Sequence, residues 1–390
     1  MNLKELKDKT VLLFGKSRAF SSDEFESQMR FHKIGIAKEY SENVAVVVEG
    51  KMMTPYEQNA SSALYEQYGT ALEFVSIDVL EKELASHIDA DTLLMSLKLS
   101  HDKERLKSFL KNSMISDALF FRLLKMYKWG GEDFFENDDN RDVSAALILR
   151  FYENIERNHN VQYATTGFIH LVSQTKNTQL LKAISLLEPI KQNPKIQVAI
   201  AMSIYCDDEM QEFFFKTNNP DVLEALSQNK NLKRELIEEF LKDEKLGRNV
   251  AQNIELSDEL FELFKANKIG LALNESLTPK MQKELLNYND EKILYALALN
   301  NNIDEEILNL LLESANEEIK SALYENRKTA VAILEEAYKE GKYLKEIAKN
   351  ENTPVEILYQ LQLDSRFARA VKENASFGRH IQQENIGWEV

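Results

Sequence analysis

Apolar and polar positions follow two rhythms along the chain. As far as about Ile88, short aliphatic or β-branched runs alternate with helix-periodic stretches; from about Ala90 onward the period is helical almost throughout. Thr10–Gly15 (TVLLFG) reads as a short buried strand. Ser21 and Ser22, followed by Asp23 and Glu24, mark a helix start with acids in its first turn. That helix runs to about Lys33, with Phe25, Met29 and His32 on one face, and Gly35 closes it. Ile36–Tyr40 and the β-branched Val44–Val48 read as strands. A short helix about Ala60–Gln67 stops at Gly69, Leu72–Ile77 is a fourth strand, and Asp78 caps a helix over Val79–His87. The order β-α-β-β-α-β-α implies a mostly parallel sheet covered on both faces.

The second rhythm contains internal repeats. Five segments end in a recurring asparagine, at Asn274, Asn300, Asn326, Asn350 and Asn374, with spacings of 26, 26, 24 and 24 residues. Upstream copies end at Asn253 and Asn229, and a degenerate one ends at Ser203. After each anchor comes a Thr, Asp or Ser, often with Pro, and then an apolar helix, as at 278–286, 304–312 and 353–361. Thr278 and Thr353 read as N-caps, each with Pro at the first helical position. Each unit is two short helices and two turns. It cannot bury its apolar face alone, so stacking on its neighbours predicts an α-solenoid of two-helix repeats of about 24–26 residues. Residues 89–180 lie between the two regimes: helical patterns cover Leu106–Leu110, Ile115–Tyr127 and Val143–Ile155, broken at Trp129–Gly131 and at an acidic Asn137–Asn140 loop. They read as capping or diverged repeats. The expected organisation is therefore 1–88 α/β, 89–180 helical and 181–390 repeat array.

Two resemblances follow from these residues. The opening LKDKTVLLFG, the helix ending in KIG, the strands ending in NVAVVV and the closing LEFVSIDVLE resemble a BRCT domain over roughly residues 3–88, although that family's usual Trp in the last helix is absent. The Asn-anchored repeats resemble the leucine-rich repeat variant family over roughly residues 180–380. The cysteine cluster that some of those proteins carry before the repeats is missing, so the resemblance implies no iron–sulfur cluster. BRCT-like domains are adaptors that engage proteins, often around DNA transactions, and that role is what the first resemblance implies.

Composition narrows the function classes. A net charge of −16 disfavours duplex nucleic acid and anionic membrane surfaces as default partners. The single cysteine, Cys206, excludes an intrachain disulfide and reads as a small buried hydrophobe. The longest apolar runs, such as Val44–Val48, are far too short to span a bilayer. The N-terminus has no apolar signal core, and the chain reads as cytoplasmic.

Four candidate sites stand out. In phosphopeptide-binding BRCT domains a Ser or Thr before a Gly, with a Lys near the second helix, holds the phosphate. Here Phe14 precedes Gly15, and Asn59–Ser62 carries no Lys. Lys16, Ser17 and Arg18 remain as an anion- or partner-binding turn. The histidines (His32, His87, His101, His159, His170 and His380) form no i, i+4 metal motif, and His32 and His170 read as packing residues. Trp129–Asp139 joins aromatics to Asp133, Glu136, Asp138 and Asp139 without EF-hand spacing and reads as a turn between repeats. The repeat asparagines are expected to satisfy turn backbone rather than line a groove. With no catalytic constellation or cofactor motif, the sequence predicts a non-enzymatic protein-interaction scaffold. Direct binding of nucleic acid, at a DNA end, is the alternative.

Overall fold

The computed structural model describes residues 2–130, 137–152, 165–314 and 316–383. Its chain divides into two compact units, Met1–Gln197 and Val198–Val390. No helix among the described residues is long and apolar enough to cross a membrane.

The first unit opens with a one-turn helix α1 (Leu3–Leu6). There follow β1 (Thr10–Phe14), α2 (Ser22–Phe31), β2 (Gly35–Ala37), β3 (Val44–Glu49), α3 (Pro55–Tyr68), β4 (Glu73–Ser76) and α4 (Ile77–Ser86). All strands are parallel, in the order β2-β1-β3-β4. On one face Leu12, Phe14, Val44 and Val47 pack against Ala60 and Leu64 of α3. Val11, Val46 and Val48, which point the opposite way along their strands, are buried as well. The sheet is therefore covered on both sides, as its apolar runs require.

Local chemistry moves several boundaries from those expected. Helix α2 ends at Phe31, and Gly35 does not close it. The reversal is made by Lys33 in the left-handed region (φ 59°), and Gly35 is the first residue of β2. Helix α3 begins at Pro55, well before Ala60, because Thr54 and Glu57 form a reciprocal capping box. Ser76, not Asp78, caps α4; Asp78 lies in its first turn and pairs with Lys51.

Beyond the sheet come α5 (Ala90–Ser100), α6 (Lys103–Lys111), α7 (Asp117–Leu124), α8 (Asp138–Phe151), α9 (Thr165–Gln174) and α10 (Thr178–Ser185). The expected Asn137–Asn140 loop is instead the start of α8, with the Asn137 side chain accepting from the Asn140 N–H. This helix ends at Phe151, with Tyr152 extended at its C-cap, short of the expected Val143–Ile155 span, whose last three residues lie outside the described residues. The helical segment is tied to the sheet by Arg105, whose Nε lies 2.8 Å from Glu24 Oε2 on α2, and by the Phe20–Phe109 ring contact.

Helix α11 (Pro194–Ala201) spans the division between the units. In the second unit helices come in pairs: α12 (Asp208–Lys216) with α13 (Pro220–Ser227), α14 (Arg234–Phe240) with α15 (Glu244–Asn253), and α16 (Asp258–Leu263) with α17 (Lys268–Leu273). Then come α18 (Pro279–Leu286) with α19 (Glu291–Leu299), α20 (Glu305–Leu312) with α21 (Glu317–Glu325), α22 (Val331–Lys339) with α23 (Leu344–Lys349), and α24 (Val355–Gln362) with α25 (Ala368–Glu373). Helix α26 (Ala375–Gln383) follows. The second helix of each pair packs on the second helix of the next, from α13 through α25.

The recurring asparagines explain that register. Asn300 is buried at the C-cap of α19. Its Nδ2 donates to the carbonyls of Ala272 and Asn274 in the preceding pair, both at 2.8 Å, and its Oδ1 accepts from the Asn302 N–H. Asn326, Asn350 and Asn374 repeat the arrangement, each reaching the previous asparagine's carbonyl. Asn229 does the same to Ala201 and Ser203, which places Ser203 as the degenerate anchor. Only an amide both donates and accepts at this length, so Asp or Leu could not replace it. The Asn253 anchor is a misreading. Its Nδ2 bonds Asn249 of its own helix, and Ile254 holds the C-cap position whose carbonyl receives Asn274. Thr353 is likewise not the cap of α24. It is buried, and its hydroxyl donates back to Ile347, leaving Pro354 at the cap position.

Candidate binding crevice

In a parallel sheet, ligands sit beyond the carboxyl ends of the strands where the winding reverses. Here the reversal lies between β1 and β3, so the crevice is formed by the turns Gly15–Phe20 and Gly50–Thr54. The two turns cross closely: Lys16 and Lys51 exchange backbone hydrogen bonds, both 2.8 Å. Gly15 is at φ 71°, and a Cβ there would lie 2.6 Å from the Lys51 carbonyl, so no other residue fits.

The sequence candidates Lys16, Ser17 and Arg18 sit in this crevice, but its inward donors are occupied by the chain's own carboxylates. One oxygen of the buried Glu81, on α4, accepts from the Ser17 hydroxyl (2.7 Å), the Arg18 N–H (2.7 Å) and the Ala19 N–H (3.0 Å). Ser17 Oγ in turn accepts from the Phe20 N–H. Glu57, on α3, accepts from the Gly15 N–H at 3.0 Å. Its acidity is strengthened first by the Thr54 backbone N–H, then by that of Gly15. The Lys16 and Arg18 side chains point to solvent and form no ion pair among the described residues. The turn is thus an anion cradle already filled by Glu81. The sequence gives no signal of this, because Glu81 is 64 residues from Ser17.

The remaining candidates resolve simply. Cys206 is fully buried, and burial pushes its thiol up to about 12, so it is unreactive at neutral pH. His170 packs on Tyr152, and His32 packs on His87. His159, and Asp133 and Glu136 of the acidic aromatic stretch, lie outside the described residues. Asp139 is held by Lys103 and Lys107, both at 2.5 Å, which lower its carboxyl to about 2. No group of metal-ligating side chains occurs among the described residues. No family model, no curated protein and no solved structure matches this chain.

Proposed function

We propose that the protein is a non-enzymatic interaction scaffold: a BRCT-like domain followed by an α-solenoid of the leucine-rich repeat variant type, engaging partner proteins through the repeat surface. The observation that carries this reading is the Asn-anchored register of α13 to α25. It spends each repeat's buried polar capacity on the neighbouring repeat and leaves the outer helices and turns as a long surface for partners. The strand order and the helices between the strands support the BRCT-like reading of the first segment. Helices α6 to α8 favour reading the middle segment as diverged repeats. Asn112 caps α6 in the anchor conformation with its Oδ1 on the Met114 N–H, and Arg150 of α8 takes the carbonyl of Asn112, as a following asparagine would. A role near DNA maintenance rests on the BRCT-like resemblance alone.

The test is cross-linking of the full-length chain in native cytosol, with and without nuclease, followed by mapping of the cross-linked residues. Discrete proteins cross-linked to residues between 198 and 383 after nuclease treatment bear the scaffold reading out. Cross-links only to nucleic acid, lost as salt is raised, would overturn it in favour of direct nucleic-acid binding.

A further inference from the structure

A groove of about 1010 Å³ opens on the helical segment of the first unit, between α5, the start of α6 and the residues that follow α7. Its floor is apolar, made by Leu94, Leu97 and Leu106 with the Tyr127 ring. Met95 and Met126 stand at its mouth, and Met95 is 59% exposed. Unbranched, polarizable methionine adapts to differently shaped apolar partners.

The rim is basic in a chain whose net charge is −16. Five lysines and arginines line the groove, against Asp91 and Asp102. Two of the five are committed: Arg122 pairs with Asp91 across the groove at 2.5 Å, and Lys103 with Asp139. Lys98, Lys125 and Lys128 form no ion pair among the described residues, although the chain carries 64 acidic residues. His101 adds a fourth polar group, held in the left-handed region at the C-cap of α5.

We propose that this groove docks a short acidic amphipathic helix of a partner protein, its apolar face on Leu94, Leu97, Leu106 and the two methionines, and its carboxylates on Lys98, Lys125 and Lys128. An apolar floor bordered by cations that are unpaired among the described residues is complementary to a segment with apolar anchors at i, i+3, i+4 and i+7 and acids on its flanks. Nucleic acid would satisfy the cations and leave the floor uncovered. The Asp91 carboxylate on Arg122 marks where a ligand carboxylate would compete. The proposal shares with the scaffold reading only the premise of a protein partner, and it lies on a different surface.

The experiment is fluorescence anisotropy on the full-length protein with four probes: a designed peptide helix with Leu on one face and Glu on the other, a polyglutamate of equal charge, a single-stranded oligonucleotide and dodecanoate. The amphipathic peptide is expected to bind saturably and more tightly than the other three. Binding should weaken about tenfold or more in K98E/K125E/K128E and in Met95→Asp, and tighten a few-fold in Asp91→Asn, which frees Arg122. These positions are on the surface, and unchanged circular dichroism and melting confirm that each variant is folded. The proposal is overturned if the peptide does not bind, if the lysine substitutions leave its affinity unchanged, or if polyglutamate, oligonucleotide or dodecanoate binds as tightly. Loss of the scaffold reading in the cross-linking experiment leaves these outcomes unaffected.

Discussion

Glu81 shows how one side chain decides what a turn can do. It is almost fully buried, and three donors from Ser17, Arg18 and Ala19 converge on one of its oxygens. Removing that oxygen leaves three donors without a partner. Its other oxygen is buried without a partner. Glu81→Ala should therefore cost about 2–4 kcal/mol in urea unfolding, the loss expected when buried donors are orphaned. Glu81→Gln should cost less than half as much, since an amide oxygen accepts the same bonds. Equal losses for both variants would mean that hydrogen-bond acceptance by this oxygen does not hold the turn. While Glu81 is in place, Lys16 and Arg18 have only their side chains to offer an incoming anion.

At the scale of elements, the ends of α2 and α4 meet through two histidines. The His32 ring stands edge-on to His87 at 5.8 Å, and its Nε2 is buried without a partner. Burial first, and the His87 charge second, lower the pKa of His32 below its ordinary 6.5. The unfolded chain therefore binds a proton more readily than the folded one, and stability rises with pH across that window. Stability should be unaffected by this site above pH about 6.5 and fall as the pH drops below it, as protonation of the unfolded chain is favoured. His32→Phe should flatten the slope of the urea midpoint between pH 5 and 7; an unchanged slope would assign it to other groups. Elements of this kind were legible in the sequence where one residue type carries the instruction. Val44–Val48 gave β3, and Ser21 gave the start of α2. They were not legible where the deciding contact is distant or substituted. The capping box moved the start of α3, Lys33 made the turn expected of Gly35, and Arg150 takes the carbonyl of Asn112 from 38 residues away. The groove was invisible for the same reason, since its walls come from three helices whose sequences give no shared spacing.

At the scale of the molecule, the question is how far a perturbation in one repeat travels. The asparagine spacing was readable because the same two carbonyls must be reached in every pair, and a fixed requirement writes a fixed period. It slipped at Asn253 because Ile254 holds the C-cap position there, with no side-chain amide to reach the preceding pair, while Asn253 one residue earlier bonds within its own helix. In a chain of helix pairs whose asparagine and glutamine side chains bond adjacent pairs, damage stays local. Asn300→Ala removes both bonds to Ala272 and Asn274 and the bond from the Asn302 N–H, orphaning buried groups on two adjacent pairs. It should cost about 2–4 kcal/mol. Native-state hydrogen exchange should lose protection in α17 to α21 while the sheet of the first unit keeps its own. Asn112 provides the contrast. Its cap geometry is the same, but its Nδ2 is buried without an acceptor, so Asn112→Ala loses only the Met114 bond and should cost about 1 kcal/mol. If the two substitutions cost the same, the inter-repeat bonds contribute nothing net and the register is set by apolar packing alone. If Asn300→Ala instead removes protection from every helix of the second unit at once, that unit unfolds as one cooperative body, and its repeats are units of sequence without being units of stability.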